Sequence, residues 1–352
     1  MRRMDSFKNY FRLLAEDKPN DLRSAFFYPL LTVASWFYGA GVKVFRSLYE
    51  TKVLPRKRLP FPVVSVGNLT WGGTGKTPFV EFLARKISAH RKVPLVLTRG
   101  YSHDEVEELQ QHLPAAIIGV GKDRAKVAEK VRQAHKHVDI AVLDDGLQHV
   151  ALDRDADIIV VNSLNPFGNE QMIPRGILRE PLSVLKRATV IVLTHVNLVK
   201  EEELKKLKEK VARLAPNAQV VETLMEPLFL YRAKNKSRIS IEKMAGKRVT
   251  TFAAVGTPRS FQLVLQRSHI KTVRNFEFLD HHDYTAPELG KIKEIAHAAN
   301  SEEIVTTEKD FYRSRELITQ ALNPLVLAAR LRIVSGEEVL TDRLFRLLGV
   351  KH

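Results

Sequence analysis

Two rhythms of hydrophobic and polar positions run along the chain. Short, nearly uninterrupted apolar runs ("FPVVSVGNL", "VPLVLTRGY", "AAIIGVG", "VDIAVLDDGLQH", "ADIIVVN", "ATVIVLTHV") read as buried strands. Between them apolar residues return every third or fourth position. In "TPFVEFLARKISAH", Val80, Leu83, Ala84 and Ile87 lie at i, i+3, i+4 and i+7, on one helix face. "KDRAKVAEKVRQAH" and "EEELKKLKEKVARLA" also read as helices. Strands alternating with helices predict an α/β fold: a parallel sheet with helices on both faces and its ligand site at the carboxyl ends of the strands. Beyond the polar stretch "SRISIEKMAGKRV", the strands "VTTFAAVG", "KTVRNFEFL", "EEIVTTEKD" and "PLVLAARLRI" and the helices "SFQLVLQRS" and "APELGKIKEIAHAAN" predict a smaller second α/β unit. The expected divisions are 1–58, 59–236 and 237–352.

One run breaks the rhythm. Ala25 to Val42 carries no charge over eighteen residues, the lower edge of a membrane-spanning helix. Pro29, Gly39 and Gly41 weaken it as a span. Ser24, Tyr28, Thr32, Ser35, Gly39, Lys43 and Arg46 form a less apolar stripe at helical spacing, and Phe26, Phe27, Leu30, Leu31, Val33, Ala34 and Phe37 cover much of the rest. With Arg23 before it and Lys43, Arg46 and Lys52 after, the segment reads as a membrane-surface helix beside anionic headgroups. A helix buried on its own domain and a true span are the alternatives. "LPRKRLP" then reads as a linker.

Composition narrows the classes. With 352 residues, 44% of them hydrophobic, the chain can bury the cores of about two domains. Without cysteine it has no disulfide, thiolate metal site or cysteine nucleophile. A net charge of +16 attracts polyanions: nucleic acid, an anionic membrane or a phosphorylated substrate. The first 58 residues hold twelve Lys/Arg against five Asp/Glu, so part of that excess brackets the apolar run.

The candidate chemistry begins at "GNLTWGGTGKTP". Strand, glycine loop and helix follow one another as a phosphate-binding P-loop requires. Thr70 stands where the strict pattern has glycine. Glycines let backbone N–H groups turn toward phosphate, and the helix N-terminus adds partial positive charge. Thr70, Trp71, Gly72, Gly73, Thr74, Gly75, Lys76 and Thr77 are the expected nucleotide-phosphate-binding residues, with Lys76 reaching the β- and γ-phosphates and Thr77 on Mg²⁺. A glycine-rich turn before a helix is the alternative. Asp144 and Asp145, at a strand end, suit Mg²⁺ or water positioning, or are turn aspartates. "FLDHHDY" by itself reads as a solvated loop.

Together, "SVGNLTWGGTGKTP", "LTRGY" with "DEV" after it, "LDDGLQH", "GILREP", "FLDHHDY" and "TTEKD" resemble the tetraacyldisaccharide 4′-kinase family, from about residue 24 to 310. The resemblance implies two α/β/α units joined by a hinge. It implies transfer of the γ-phosphoryl of ATP to the 4′-hydroxyl of a tetraacylated glucosamine disaccharide 1-phosphate, giving lipid IV-A. Under it, Lys76 and Thr77 match the loop lysine and the Mg²⁺ hydroxyl. Asp104 matches the catalytic aspartate, Glu105 an acidic neighbour near the metal, and Asp144 and Asp145 the acidic pair, with Gln148 and His149 completing that motif. His281 matches the second unit's histidine. Leu279 stands where the family has proline, and the insert after "RGY" is short. Asp104 also suits a helix cap. The implied place is peripheral, on the cytoplasmic face of an inner membrane, or on an organelle membrane in a plant.

Two other classes compete. A P-loop GTPase or metal-insertion chaperone reads guanine with [NT]-K-x-D, and Thr194-His195-Val196-Asn197 lacks the Lys and the Asp. A nucleic-acid binder suits the charge, but no aromatic-basic signature is present. No nucleic-acid partner is expected.

Overall fold

The computed structural model describes residues 22–100, 103–135, 137–280 and 282–349, the side chains of 22–26 and 103–105 excepted. The chain forms two compact units. The first collects Met1–Gly100, His112–Thr223 and Ile333–His352; the second collects Tyr101–Gln111 and Leu224–Arg332. The sequence places a boundary at 236/237; the two units divide the chain at Thr223/Leu224 and again at Arg332/Ile333. The chain leaves the first unit inside a strand, and its last stretch returns there, because the apolar face of the last helix packs on that unit's sheet.

The first unit's sheet holds β1 (Val63–Gly67), β2 (Pro94–Thr98), β3 (Ile117–Val120), β4 (Ile140–Asp144), β5 (Ala156–Asn162), β6 (Val190–Thr194) and the start of β7 (Gln219–Arg232). Their order is β7-β6-β5-β1-β4-β2-β3, with parallel pairing throughout. Every residue of β1, β2, β5 and β6 is buried, as uninterrupted apolar runs require. Alternate residues serve opposite faces. Ile159, Val161, Ile191 and Leu193 pack with Leu207 and Val211 of α5 (Glu201–Leu214). Val64, Ala156, Ile158 and Val190 face Leu340 and Leu344 of α10 (Glu337–Leu347). Among the described residues, the remaining α-helices of this unit are α1 (Leu22–Glu50), α2 (Lys76–Ala89) and α4 (Arg124–Ala134).

The second unit orders its strands β10 (Lys271–Glu277), β9 (Arg248–Ala253), β11 (Glu303–Thr307), β12 (Leu325–Ser335) and the rest of β7, with β8 (Arg238–Ile239) antiparallel on β7. Leu325 and Leu327 join Phe261 and Leu265 of α6 (Pro258–Arg267) in one core. Val326 and Ala328 join another core with residues of α7 (Ala286–Ala298), α8 (Glu308–Arg313) and α9 (Arg315–Ala321). The period of two along a strand separates the layers.

Helix α1 packs on the first unit the opposite way round from a soluble amphipathic helix. Much of its less apolar stripe points inward: Tyr28, Thr32 and Gly39 are half-buried, although Lys43 is exposed. Ser35 and Arg46 are buried, while Leu30, Val33, Trp36, Phe37 and Val44 are exposed, Trp36 by 69% and Phe37 by 74%. Arg46 is thus corrected from a headgroup-facing cation to an inward one, because a buried acidic partner, Glu180, lies 2.7 Å away. Among the described residues no helix is long and apolar enough to cross a membrane, so the spanning alternative finds no support.

Candidate active site

The loop between β1 and α2 occupies the carboxyl edge of the first unit's sheet. Two backbone constraints shape it. Gly75, the residue before α2, takes a left-handed φ of 85°, a conformation that costs glycine least. At Gly67 a Cβ would lie 2.6 Å from the amide nitrogen of Leu147, so only glycine lets the end of β1 pass the segment after β4. Lys76 and Thr77 form the first turn of α2 and are half-buried. Thr194, at the end of β6, donates its hydroxyl to the carbonyl of Thr74 at 2.9 Å. Asn162, at the end of β5, donates to that of Gly73 at 3.4 Å. The loop is thereby held from the two neighbouring strand ends. Trp71 is 54% exposed.

Asp144 closes β4 directly opposite Val66 of β1, so its carboxylate starts beside the loop. Asp145 follows at φ 53°. Its Oδ1 lies 3.6 Å from Nζ of Lys76. Two guanidinium nitrogens of Arg179 donate to Asp145, at 2.8 and 3.1 Å. Burial pushes the Asp145 carboxyl up, but the Arg179 hydrogen bond and the charges of Lys76, Arg179 and Arg124 outweigh it, holding the group at about 2. It is a carboxylate at any physiological pH. Arg179 also donates to the side-chain oxygen of Asn68. Asn68 in turn donates to the carbonyl of Thr70 at 2.7 Å, and Gln148 donates to the Asn68 carbonyl at 3.2 Å.

The backbone around Arg179 is part of the same assembly. The Trp71 N–H donates to Ile177 and the Arg179 N–H to Leu69, both at 2.7 Å, and Thr70 bridges Leu178. "GILREP" is therefore a rim docked on the phosphate loop. The sequence alone assigns that segment no role. No periodicity marks it; the lone arginine-glutamate pair in a loop was the available signal. Arg154 was missed as well. Its side chain is buried and donates to the carbonyl of Gly146 at 3.0 Å, pinning the turn after Asp145.

Asp104 and Glu105 fall in the first turn of α3 (His103–His112), and their side chains lie outside the described residues, as does His281 altogether. The neighbours of His281 are held firmly. Lys309 reaches Asp280 at 3.1 Å, and the His282 ring stacks on Phe278 and lies 3.2 Å from Glu288. Tyr284 donates to Asp310 at 2.9 Å; Asp310 is itself buried and also accepts from the Ala254 N–H. The turn that carries Asp104 clusters with the second unit, which collects Tyr101–Gln111 and Leu224–Arg332.

The Thr194-His195-Val196-Asn197 segment serves the loop's base rather than a guanine. His195 is buried, and burial holds its ring down to about 4, hence neutral.

A parallel sheet with a glycine loop at the central strand's carboxyl end, a lysine opening the next helix and an ionised carboxylate beside it define a P-loop nucleotide-binding protein. The family model described as tetraacyldisaccharide-1-P 4′-kinase matches residues 27–108 and 103–348, and the chain belongs to that family. The probable tetraacyldisaccharide 4′-kinase, mitochondrial, of Arabidopsis thaliana is 35% identical, over 87% of this chain and 86% of its own length. The tetraacyldisaccharide 4′-kinase of Halothermothrix orenii is 30% identical, over 86% of this chain and 87% of its own length. The crystal structure of the "apo" form of LpxK from Aquifex aeolicus in complex with ATP superposes with a TM-score of 0.68 at 25% identity, covering 93% of this chain and all of that one.

Proposed function

We propose that the chain transfers the γ-phosphoryl group of ATP to the 4′-hydroxyl of a tetraacyldisaccharide 1-phosphate, forming lipid IV-A in lipid A biosynthesis. The observation that carries this reading is the pairing of Lys76 with an ionised Asp145 beside the phosphate loop, in a family whose named members are kinases of this substrate. The loop's amides from Thr70 to Thr77 hold the phosphates, and Lys76 places its charge on the β- and γ-phosphates. The sugar oxygen forms its bond to the γ-phosphorus as the bond to the bridging β-oxygen breaks, and ADP leaves with that oxygen. The hydroxyl proton passes to the carboxylate of Asp104, with His281 supporting that carboxylate or the moving phosphoryl group.

The donor set at the loop is hydroxyl and carboxylate oxygen only, which fits Mg²⁺. Thr77 and Asp144, with Glu105, would hold the ion, which would offset charge on the phosphate oxygens.

The outward face of α1 supports a peripheral seat on an anionic membrane. Apolar side chains at Leu30, Val33, Trp36, Phe37 and Val44 immerse shallowly while the inward stripe stays on the protein. This face is the reason a phosphate loop is joined to a greasy helix: the acceptor hydroxyl belongs to a lipid. The membrane is the cytoplasmic face of an inner membrane. The mitochondrial label of the Arabidopsis relative supports an organelle membrane for a plant source.

The test is incubation with labelled ATP and tetraacyldisaccharide 1-phosphate in mixed micelles. A 4′-phosphate that appears with the wild type and not with Lys76→Ala supports the reading. GTP used in preference to ATP, with no lipid product, would overturn it.

A further inference from the structure

Helix α1 reaches the nucleotide site through one short segment. The Ser35 hydroxyl lies 2.8 Å from the Met172 carbonyl and accepts from the Arg175 N–H at 2.9 Å. The Tyr38 hydroxyl donates to the carbonyl of Arg179 at 3.2 Å. Arg46 donates through Nε to Glu180 at 2.7 Å and through Nη2 to the carbonyl of Leu147 at 3.2 Å. The side chains of Arg46 and Glu180 are 7% and 4% exposed. Those contacts land on the same two short segments that carry the charged residues beside the phosphate loop. Arg179 stands next to Glu180, and Leu147 lies two residues after Asp145.

A buried ion pair is a weak source of stability, because desolvating both charges offsets most of their attraction. What such a pair does well is fix one geometry among close alternatives. Here the geometry it fixes is the register of the rim 177–180 and of the turn after Asp145.

We propose that Arg46 and Glu180 are positioning residues of the kinase reaction, through which α1 sets the placement of Arg179 and hence of the Asp145 carboxylate at the phosphate loop. The helix is then a structural wall of the nucleotide site as well as a lipid-facing surface. The inference rests on the kinase reading.

The experiment uses the full chain in mixed micelles, with steady-state kinetics, melting temperature and vesicle sedimentation on Arg46→Met, Glu180→Gln, the double variant and Arg46→Lys. Each neutralising single variant should lower kcat by about 10–100-fold, the usual cost of losing a group that orients a site residue. It should also raise KM for ATP while leaving KM for the lipid and vesicle binding within about twofold of wild type. Arg46→Lys keeps the charge and should recover much of kcat. The double variant leaves no lone buried charge, so it should melt near the wild-type temperature yet stay slow. Recovery of kcat together with melting temperature in the double variant would reduce the pair to fold support. Folded single variants with wild-type kcat and KM for ATP would remove the role altogether. A wild-type protein that makes no lipid phosphate would instead fail the kinase reading itself.

Discussion

Arg179 grips Asp145 through two guanidinium nitrogens at 2.8 and 3.1 Å, while Lys76 stands 3.6 Å away on the same carboxylate. Two cations on one partly buried acid fix its charge and its orientation together. Arg179→Met should therefore lower kcat by about 10–100-fold and raise the Asp145 pKa, since burial then acts with less opposition. Asp145 is ionised above its folded pKa of about 2. Raising that value moves the acidic limb of the kcat profile to higher pH. An unshifted acidic limb in Arg179→Met would show that Asp145 does not set it.

Membrane binding should depend on the outward face of α1 and not on the helix as a whole. Burying one large apolar side chain contributes roughly 1.5–3 kcal/mol. Trp36→Glu with Phe37→Glu should weaken sedimentation with anionic vesicles at least about tenfold. The melting temperature and the KM for ATP should hold, because both side chains point away from the protein. Vesicle binding that survives the double change would locate the lipid contact elsewhere.

A sugar hydroxyl needs a base as the phosphoryl group arrives. Asp104→Asn should lower kcat by about 10²–10⁴-fold with ATP binding by calorimetry nearly intact. His281→Ala should also be severe, and the double variant should lose less than the two single losses combined if the pair acts as a unit. Loss of ATP binding in Asp104→Asn would move that residue from base to metal ligand.

His195 gives the fold an acid sensitivity. Burial depresses its pKa from 6.5 to about 4, so below pH 6.5 the unfolded chain takes up a proton that the folded chain refuses. Stability is full above pH 6.5 and falls as pH drops toward 4, by up to about 3 kcal/mol. His195→Asn suits the left-handed backbone at φ 59°. It should flatten the slope of urea midpoint against pH across that window, and a slope equal to wild type would assign the sensitivity to other groups.

Most strands were legible as apolar runs, and the loop from Thr70 to Thr77 as a strand-to-helix glycine turn. What pattern could not show is contact across the chain. Arg179 meets Asp145 across thirty-four positions, and no local rhythm marks such a partner. Helix α1 was legible as a helix with two faces, but which face turned inward was not. Its polar stripe reads as solvent-facing until Glu180 and the carbonyls of Met172 and Leu147 are known to lie opposite. Strands β7 and β8 and helices α8, α9 and α10 escaped notice: Glu222, Glu226 and Pro227 break the apolar run of β7, and charge is interleaved with the apolar residues of the helices. The division into units rests on contact too: the chain re-enters the first unit after leaving it.

That re-entry has a consequence for synthesis. Leu340 and Leu344 cover the face formed by Val64, Ala156, Ile158 and Val190, and Phe345 sits 4.2 Å from the ring of His90. A ribosome delivers those partners long before it delivers α10. The second unit has all its strands by Arg332 and can close first. The nucleotide-binding half, although translated earlier, carries an open apolar flank until the last helix emerges. Vectorial folding thus finishes in the reverse of coding order, and a growing chain stalled short of α10 would present that flank to chaperones.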